Sequence, residues 1–377
     1  MNRNLTLLAL SLMTWGIGEG MFIFFQPLYL QQLGANPVMI GSILGLTGVA
    51  MTLAHLPAGY LSDRIGRRPV LWAAWSIATL AAWVMALADS LPLFVIGAVF
   101  YGMTAFVSGP MNGYITAARG RWTVARALTL ISATYNTGAI LGPLLGGWVG
   151  QNLGLRWCFG IAAVFFLVST VIVLFIQAQP VEIALPEGKN ARWAGLINAR
   201  YATFMVVVFV SLYFMYLPQP LSQNFLQNER GLSLGNIGSV ISLRSAGVVF
   251  LNLTLGHFNA RYSFLLAQAF MGGFAFLIWK GSGMPWYLVG YFLMGSFQTA
   301  RSLAVAQARA LVKASNMGLA YGMLETIGGL VIIFGPPLAG ALYSLNPTWP
   351  YLAGILGCGI GLLISAFFIP LRPDEIH

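Results

Sequence analysis

Long apolar runs separated by short polar connections make up almost the whole chain. A helix that crosses a bilayer needs about 20 mostly apolar residues. Twelve runs come close to or exceed this length, at approximately 5–30, 38–60, 69–88, 91–116, 125–149, 156–178, 201–226, 236–257, 262–279, 285–309, 316–343 and 349–369. The pattern therefore predicts an all-α integral membrane protein with twelve transmembrane helices.

Composition supports the same fold class. The 377 residues are 58% hydrophobic and only 7% charged, whereas about 25% of the residues of a soluble domain are charged. Such a chain could not cover its apolar residues with a polar surface in water. We therefore expect a multi-pass protein of the plasma membrane.

One polar connection is much longer than the others and divides the pattern in two. It runs from Gln177 to Arg200 and reads QAQPVEIALPEGKNARWAGLINAR. We predict an N-terminal six-helix bundle at 1–178, a cytoplasmic linker at 179–200 and a C-terminal six-helix bundle at 201–377.

The net charge of +10 comes from 19 Lys and Arg residues against nine Asp and Glu residues. If the N-terminus is placed in the cytoplasm, most of the basic residues fall in the inner connections. This bias is typical of cytoplasmic loops, so both termini are expected to be cytoplasmic. The charge is a topology signal, and we expect no nucleic-acid partner because no basic patch with interleaved aromatic residues lies outside these loops.

The two halves of the sequence repeat each other at a spacing of 193 residues. Gln26-Pro27-Leu28 is echoed by Gln219-Pro220-Leu221, and the stretch LGPLLGG at 141–147 is echoed by FGPPLAG at 334–340. Related six-helix halves imply a pseudo-twofold axis along the membrane normal and a binding site near the midplane. A duplication kept only for folding would look the same.

The stretch GYLSDRIGRRPVL at 59–71 resembles the loop between helices 2 and 3 of the major facilitator superfamily. The matching residues are Gly59, Asp63, Arg64, Gly66, Arg67 and Arg68. The resemblance implies that fold, transport by alternating access, and a loop that clamps the inner gate. A plain positively charged inner loop would explain Arg67 and Arg68 but not Asp63.

A second stretch, GAILGPLLGG at 138–147, is similar to an element typical of antiporters in this superfamily. Its matching residues are Gly138, Gly142, Pro143, Gly146 and Gly147, while Thr129 stands where a further glycine is usual. Generic close packing of helices would use the same glycines. The resemblance nevertheless favours a bacterial, proton-coupled efflux antiporter of the inner membrane.

A charged residue at the bilayer centre costs at least ~2.5–3.5 kcal/mol, so each one needs a partner or a function. Glu19 lies near the middle of the first run, and Arg244, Arg301 and Glu325 also lie within apolar runs. Arg301 and Glu325 share a depth on neighbouring helices, which predicts an ion pair. That pair is either a permanent tether or a switch that breaks when Glu325 is protonated or substrate binds.

Glu19 is the best candidate for coupling transport to protons or for binding substrate. The resemblance implies that helices 1, 4, 7 and 10 line a central cavity, so a carboxylate on helix 1 is expected to face it. The alternative is a structural pair between Glu19 and Arg244 or Arg301. The other polar candidates for the cavity are Gln26, Tyr101, Asn112, Asn136, Tyr213, Tyr216, Gln219 and Gln298.

These observations favour proton-coupled export of a small molecule. The alternatives are proton-coupled symport of a sugar or organic anion, a flippase for lipid or lipid-linked sugar, and a non-transporting membrane receptor. The sequence contains no catalytic set, no Gly-Lys-Ser/Thr phosphate loop and no metal-ligand spacing. We therefore expect no enzyme activity, no cofactor and no metal. The expected partners are protons, a small-molecule substrate and membrane lipid, and the expected oligomeric state is a monomer.

Overall fold

The structure is a computed structural model, and it describes residues 3–179, 199–312 and 317–368. These residues are predominantly helical. The helices are α1 (Arg3–Phe22), α2 (Gln26–Gln32), α3 (Pro37–Ile65), α4 (Arg67–Leu87), α5 (Leu91–Met103), α6 (Ser108–Ala118), α7 (Val124–Asn152), α8 (Leu155–Leu174), α9 (Ala199–Tyr216), α10 (Ser222–Asn228), α11 (Leu234–Leu255), α12 (Ala260–Lys280), α13 (Met284–Met294), α14 (Ser296–Leu311), α15 (Met317–Leu345) and α16 (Trp349–Phe368). A short 3₁₀ turn, Thr104–Val107, joins α5 to α6.

Within the described ranges, nine helices are long and apolar enough to cross a membrane, counting the continuous stretch Leu91–Ala118 as one. This confirms an all-helical, multi-pass membrane architecture. The number of twelve spans and the cytoplasmic position of both termini stay predictions.

Four of the predicted spans are each divided into two helices. They are the first (α1 and α2), the fourth (α5 and α6), the seventh (α9 and α10) and the tenth (α13 and α14). Proline lacks a backbone N–H and clashes with the preceding turn, and Pro27, Pro110 and Pro220 lie at three of these interruptions. Because Pro27 and Pro220 occupy equivalent positions of the repeat, the first and seventh spans are interrupted at the same place.

The chain separates into two compact units. The first contains Met1–Ala35, Leu46–Leu185 and Gly231–Ser242, and the second contains Asn36–Gly45, Pro186–Arg230 and Leu243–His377. The helices α3 and α11 are thus each divided between the units. Most of the predicted linker, residues 180–198, lies outside the described residues, and the boundaries of the two predicted bundles stay a prediction.

In the first unit α1 packs on α7 and α8, and α4 packs on α8 and α5. A buried polar hub joins α1, α4 and α8. The Trp75 indole N–H donates to Ser11 Oγ at 2.8 Å and to Ser169 Oγ at 2.9 Å, and the two hydroxyl oxygens lie 2.8 Å apart. Polar groups buried in a membrane protein must satisfy one another, so this hub fixes the three helices together.

The second unit has a similar hub on the equivalent helices α9, α12 and α16. Gln268 donates from Nε2 to Ser365 Oγ at 3.0 Å, and Ser211 Oγ lies 3.3 Å from Ser365 Oγ. Gln268 lies 193 residues after Trp75, so the two residues occupy equivalent positions in the two halves of the repeat. The two units therefore hold their central helices together by the same kind of contact.

Glycines bring α1 and α7 into direct backbone contact. A methyl group at Gly138, Gly142 or Gly146 would meet the carbonyl oxygens of Met13, Ile17 and Met21, respectively. Gly16 and Gly20 on α1 face α7 in return, against the carbonyl oxygen of Tyr135 and the ring of Pro143. The glycine spacing of the antiporter-like stretch therefore forms a flat packing face, as the sequence predicts.

The last glycine of that stretch faces another helix. A methyl group at Gly147 would lie 2.7 Å from the carbonyl oxygen of Leu234 and 3.0 Å from Cα of Gly238, both within the first unit. The helix α7 continues through Pro143 to Asn152. In the second unit, Gly41 of α3 and Gly340 of α15 make a matching close contact, each against a proline carbonyl of the other helix.

We expect Gly142→Ala to destabilise the protein, because the added methyl group would also lie 2.7 Å from Cα of Gly20. Overpacking of this kind costs about 1–3 kcal/mol, which thermal unfolding in detergent can measure. Gly160→Ala is the matched control, since a methyl group at this α8 glycine meets open space. Equal melting temperatures for the two variants would contradict the proposed packing.

Candidate functional site

A cavity of about 710 Å³ lies within the first unit. Its walls come from α1, α3, α4, α5, α6 and α7 and are mainly apolar and aromatic, including Trp15, Met51, Trp75 and Met111. Small-molecule sites in proteins are usually clefts of roughly 300–1,000 Å³ with such walls and a few placed polar groups. The cavity has the size and character of a site for a small molecule.

Glu19 is the one charged residue among the described residues that line this cavity. The Tyr101 hydroxyl of α5 donates to its Oε1 at 2.8 Å, and the Tyr135 hydroxyl of α7 donates to its Oε2 at 2.6 Å. Each carboxylate oxygen thus accepts from a different helix. The sequence suggested an arginine as the alternative partner of Glu19, whereas its described partners are two phenols.

These two hydrogen bonds reduce the cost of a carboxylate inside an apolar span. A hydrogen bond to a charged group contributes roughly 1.5–3 kcal/mol. Together they are comparable with the lower bound of ~2.5–3.5 kcal/mol for placing a charged side chain in the bilayer centre. The half-buried side chain of Glu19 remains in contact with the cavity.

The two phenols are held differently. The Tyr101 ring is buried and packs against Trp15, Phe22 and Phe166, with ring centroids 6.4, 5.0 and 5.6 Å away. Tyr135 is half-buried on α7. Its backbone carbonyl is the group that Gly16 accommodates, so the glycine contact between α1 and α7 places this tyrosine beside Glu19.

Only some of the polar residues that we expected to line a cavity in the first unit are among its described lining residues. Tyr101 and Asn112 line it, but Gln26 and Asn136 do not belong to the described lining residues. Gln26 is buried at the start of α2, and Asn136 donates to the carbonyl oxygen and hydroxyl of Ser132 on its own helix.

In the second unit, three predicted cavity residues make local contacts. Tyr213 donates to the carbonyl oxygen of Phe334 at 3.4 Å, and Gln219 donates to that of Met215 at 2.9 Å. Tyr216 packs its ring on Phe297. Arg244, on α11, lies within electrostatic range of Tyr216. These residues stay candidates for substrate contact.

The predicted ion pair between α14 and α15 is present. Arg301 Nη2 lies 3.0 Å from Glu325 Oε2, and both residues line a second cavity of about 420 Å³ together with Gln298. A methyl group at Gly328 would lie 2.9 Å from Arg301 Nη2, so this glycine provides the space for the guanidinium. The side chain of Glu325 is 69% exposed, which leaves it free to leave its partner.

The predicted gating loop is described in part, because the side chains of Gly59 and Asp63 lie outside the described residues. Gly66 joins α3 to α4 with a φ of 86°, a conformation that favours glycine. Arg67 donates to the carbonyl oxygen of Gly113 on α6 at 3.1 Å. Arg68 lies 3.9 Å above the ring of Trp72, and Arg64 is exposed. Arg67 therefore ties α4 to α6 in addition to its effect on topology.

Tyr135 is the site residue that the sequence analysis missed. A helical side chain leans toward the N-terminus of its helix, so the Glu19 carboxylate lies near the level of Gly16. The glycine spacing on α7 could have located the residue that faces Gly16, and that residue is Tyr135. The signal was present in the packing face, but not in any motif that contains Tyr135.

A model of one protein family matches both halves of the chain, at residues 8–219 and 204–377, and its description is Major Facilitator Superfamily. The chain belongs to the major facilitator superfamily. It is thus a transporter of this superfamily and a multi-pass integral membrane protein, which in bacteria places it in the inner membrane.

Two curated members of the superfamily are similar over most of their length. Multidrug resistance protein 2 of Bacillus subtilis is 23% identical over 367 residues, which cover 92% of this chain and 90% of that protein. The class C tetracycline resistance protein of Escherichia coli is 26% identical over 340 residues, which cover 86% and 85%.

Solved structures of superfamily-like transporters share the fold. The nucleoside transporter NupG aligns with a TM-score of 0.80 at 14% identity and covers 98% of both chains. A bacterial homologue of the human lysosomal transporter Spinster, in an inward-facing and occupied conformation, aligns with a TM-score of 0.71 at 14% identity, covering 97% of this chain and 93% of that chain. At such identities the likeness is one of fold alone.

We expect the Arg301–Glu325 pair to contribute little to stability, because ion pairs exposed to water are worth roughly 0–1 kcal/mol. A double-mutant cycle of Arg301→Gln and Glu325→Gln, followed by thermal unfolding in detergent, should give a coupling energy below about 1 kcal/mol. A coupling of several kcal/mol would instead identify the pair as a permanent tether of α14 and α15.

Proposed function

We propose that this chain is a proton-coupled antiporter that exports an amphipathic small molecule by alternating access of two six-helix bundles. The observation that carries the proposal is the position of Glu19, the single charged residue among the described residues of a mainly apolar and aromatic cavity. Its described hydrogen-bond partners are two phenols, so no cation among the described residues occupies the carboxylate.

A carboxylate in this setting provides a simple basis for exchange. Either a proton or a cationic group of the substrate can neutralise Glu19, and the two compete for the same charge. Trp15, Trp75 and the methionines of the cavity supply an apolar surface for the rest of the substrate. The arrangement therefore favours an amphipathic molecule with an apolar body and a basic or hydrogen-bond-donating group.

The proposed direction of transport, export, is inferred from the names of similar proteins. Proteins named for multidrug resistance and tetracycline resistance match most of this chain, and the glycine stretch of α7 that resembles the antiporter element packs closely on α1, the helix of Glu19. A potential of 100 mV is worth about 2.3 kcal/mol per charge moved. That energy supports a substrate gradient of roughly fifty-fold, which is enough for useful export.

We expect Glu19→Gln to slow proton-driven transport strongly, because an amide can neither take up nor release the proton. Purified protein in vesicles with an acidic interior should accumulate ethidium, tetraphenylphosphonium or tetracycline, and Glu19→Gln should slow this at least about ten-fold. Glu19→Asp should retain part of the activity, since it keeps the carboxylate.

Glu229→Gln is the matched control, because Glu229 is an exposed carboxylate at the end of α10 and lines neither cavity among the described residues. It should transport like the unmodified protein. Undiminished transport by Glu19→Gln would reject Glu19 as the carrier, and no proton-driven movement of any of the three probes would reject the efflux proposal.

A second candidate is proton-coupled symport of a polar substrate or organic anion. The observation that favours it is the smaller cavity of the second unit, where Arg301 and Gln298 supply hydrogen-bond donors and Glu325 supplies a carboxylate. One structural neighbour is a nucleoside transporter, so uridine is a suitable probe. Uridine uptake driven by an inward proton gradient and lost in Arg301→Gln would support symport over export.

A further inference from the structure

We propose that the cavity of the second unit binds a monocarboxylate with a small aliphatic body, and that the Glu325 carboxylate takes the place of this ligand at Arg301 when no ligand is bound. The inference deepens the second candidate function above and rests on it in treating this cavity as a substrate site. It assigns a chemical class to the ligand and makes Glu325 an internal competitor of that ligand.

The guanidinium group of Arg301 is held in place from one side. A methyl group at Gly328 would lie 2.9 Å from its Nη2, 3.3 Å from its Cζ and 3.4 Å from its Nε, so the guanidinium lies directly against the backbone of α15. A binding group that is already held in position loses less conformational freedom when a ligand arrives. Arg301 is therefore pre-organised to receive a carboxylate.

The contact between Arg301 and Glu325 is suited to exchange with a ligand. A guanidinium has five N–H donors, and the hydrogen bond that Arg301 donates within the described residues is the one from Nη2 to Glu325 Oε2 at 3.0 Å. The Glu325 side chain is 69% exposed, whereas that of Arg301 is 28% exposed. A ligand carboxylate can accept two parallel hydrogen bonds from a guanidinium, so exchange replaces one described hydrogen bond by two.

The charges around the cavity favour an anion over a cation. Arg301 and Glu325 are the charged residues among the described residues that line it. Arg244 and Arg301 both lie within electrostatic range of the Tyr216 hydroxyl, so a second guanidinium group adds positive potential close to the first. An anion at Arg301 is attracted by both arginines.

The walls of the cavity favour a small aliphatic body. The cavity has a volume of about 420 Å³, toward the lower end of the range of roughly 300–1,000 Å³ for small-molecule sites. None of its described lining residues is aromatic, and its apolar wall consists of Val208, Leu212, Ala304, Val305 and Leu324. Gln298 precedes Arg301 by about one turn on the same face of α14, so it adds an amide beside the guanidinium.

Isothermal titration calorimetry on the purified full-length protein, in nanodiscs of neutral phosphatidylcholine lipid, tests the proposal without a proton gradient. The ligands are isocaproate and its neutral analogue isocaproamide, at one pH and one ionic strength. We expect saturable binding of isocaproate and at least about ten-fold weaker binding of the amide, because the amide cannot form charge-assisted hydrogen bonds with Arg301.

The variant Glu325→Gln gives a change whose sign depends on the proposal. Removal of an internal competitor should tighten isocaproate binding about two- to ten-fold. A glutamate that only tethers α14 to α15 would leave the affinity unchanged or lower when it is removed. Arg301→Gln should weaken the binding at least about ten-fold, since the charged partner of the ligand is lost.

Asp89→Asn is the matched control for Glu325→Gln, because it changes the net charge of the protein by the same amount. Asp89 pairs with Arg156 at 2.8 Å, is the acid of an exposed ion pair in the first unit and lines neither cavity among the described residues. Its substitution should leave the affinity for isocaproate unchanged. The comparison of acid and amide needs no substitution, so the proposal stays testable even if Arg301→Gln does not fold.

Four results would each overturn the proposal. They are no saturable binding of isocaproate, equal affinity for acid and amide, an unchanged or lower affinity in Glu325→Gln, and an equal gain of affinity in Asp89→Asn. Failure of the second candidate function is a separate result. If isocaproate binds as expected but a proton gradient drives uptake of neither isocaproate nor uridine, symport is rejected and the carboxylate site stands.

Discussion

The close contact between α1 and α7 is the constraint on which the first unit depends. Inside a bilayer, helices gain little from hiding apolar surface, so they associate through close packing of small residues and through hydrogen bonds. Here three glycines of α7 lie against three successive carbonyl-bearing turns of α1. The same contact brings Tyr135 next to Glu19, so the packing face and the chemistry of the cavity have one origin.

The opposite side of α1 is held in a different way. Ser11 joins Ser169 and Trp75 in a buried hydrogen-bonded hub, which has directional requirements that glycine packing lacks. The side of α1 that faces α7 is held mainly by close backbone contact, and the Tyr135–Glu19 hydrogen bond is the directional contact described there. Small shifts of α7 along α1 disturb fewer oriented contacts than shifts of α4 or α8.

The sequence predicted the membrane-spanning class, the ion pair of Arg301 and Glu325 and the packing face of α7, because each depends on hydrophobicity, depth or spacing along one helix. It did not indicate that four spans are interrupted, since apolar residues continue through Pro27, Pro110 and Pro220. It also missed Tyr135, whose role depends on how two distant segments meet. Gln26 and Asn136 are not among the described residues that line the cavity, and the position of a residue along one helix does not determine whether it faces a cavity formed by several helices.

The residues that hold the first unit together differ for the most part from those that form the wall of its cavity. Leu12, Met51, Met111 and Leu128 line the cavity, while the glycines of α1 and α7 and the hydroxyls of the hub join the helices. Methionine in particular adapts its shape easily and tolerates replacement. Substitutions in the wall can therefore accumulate during evolution with little loss of folding stability, so that the range of molecules accepted can diverge between related proteins that keep the same scaffold.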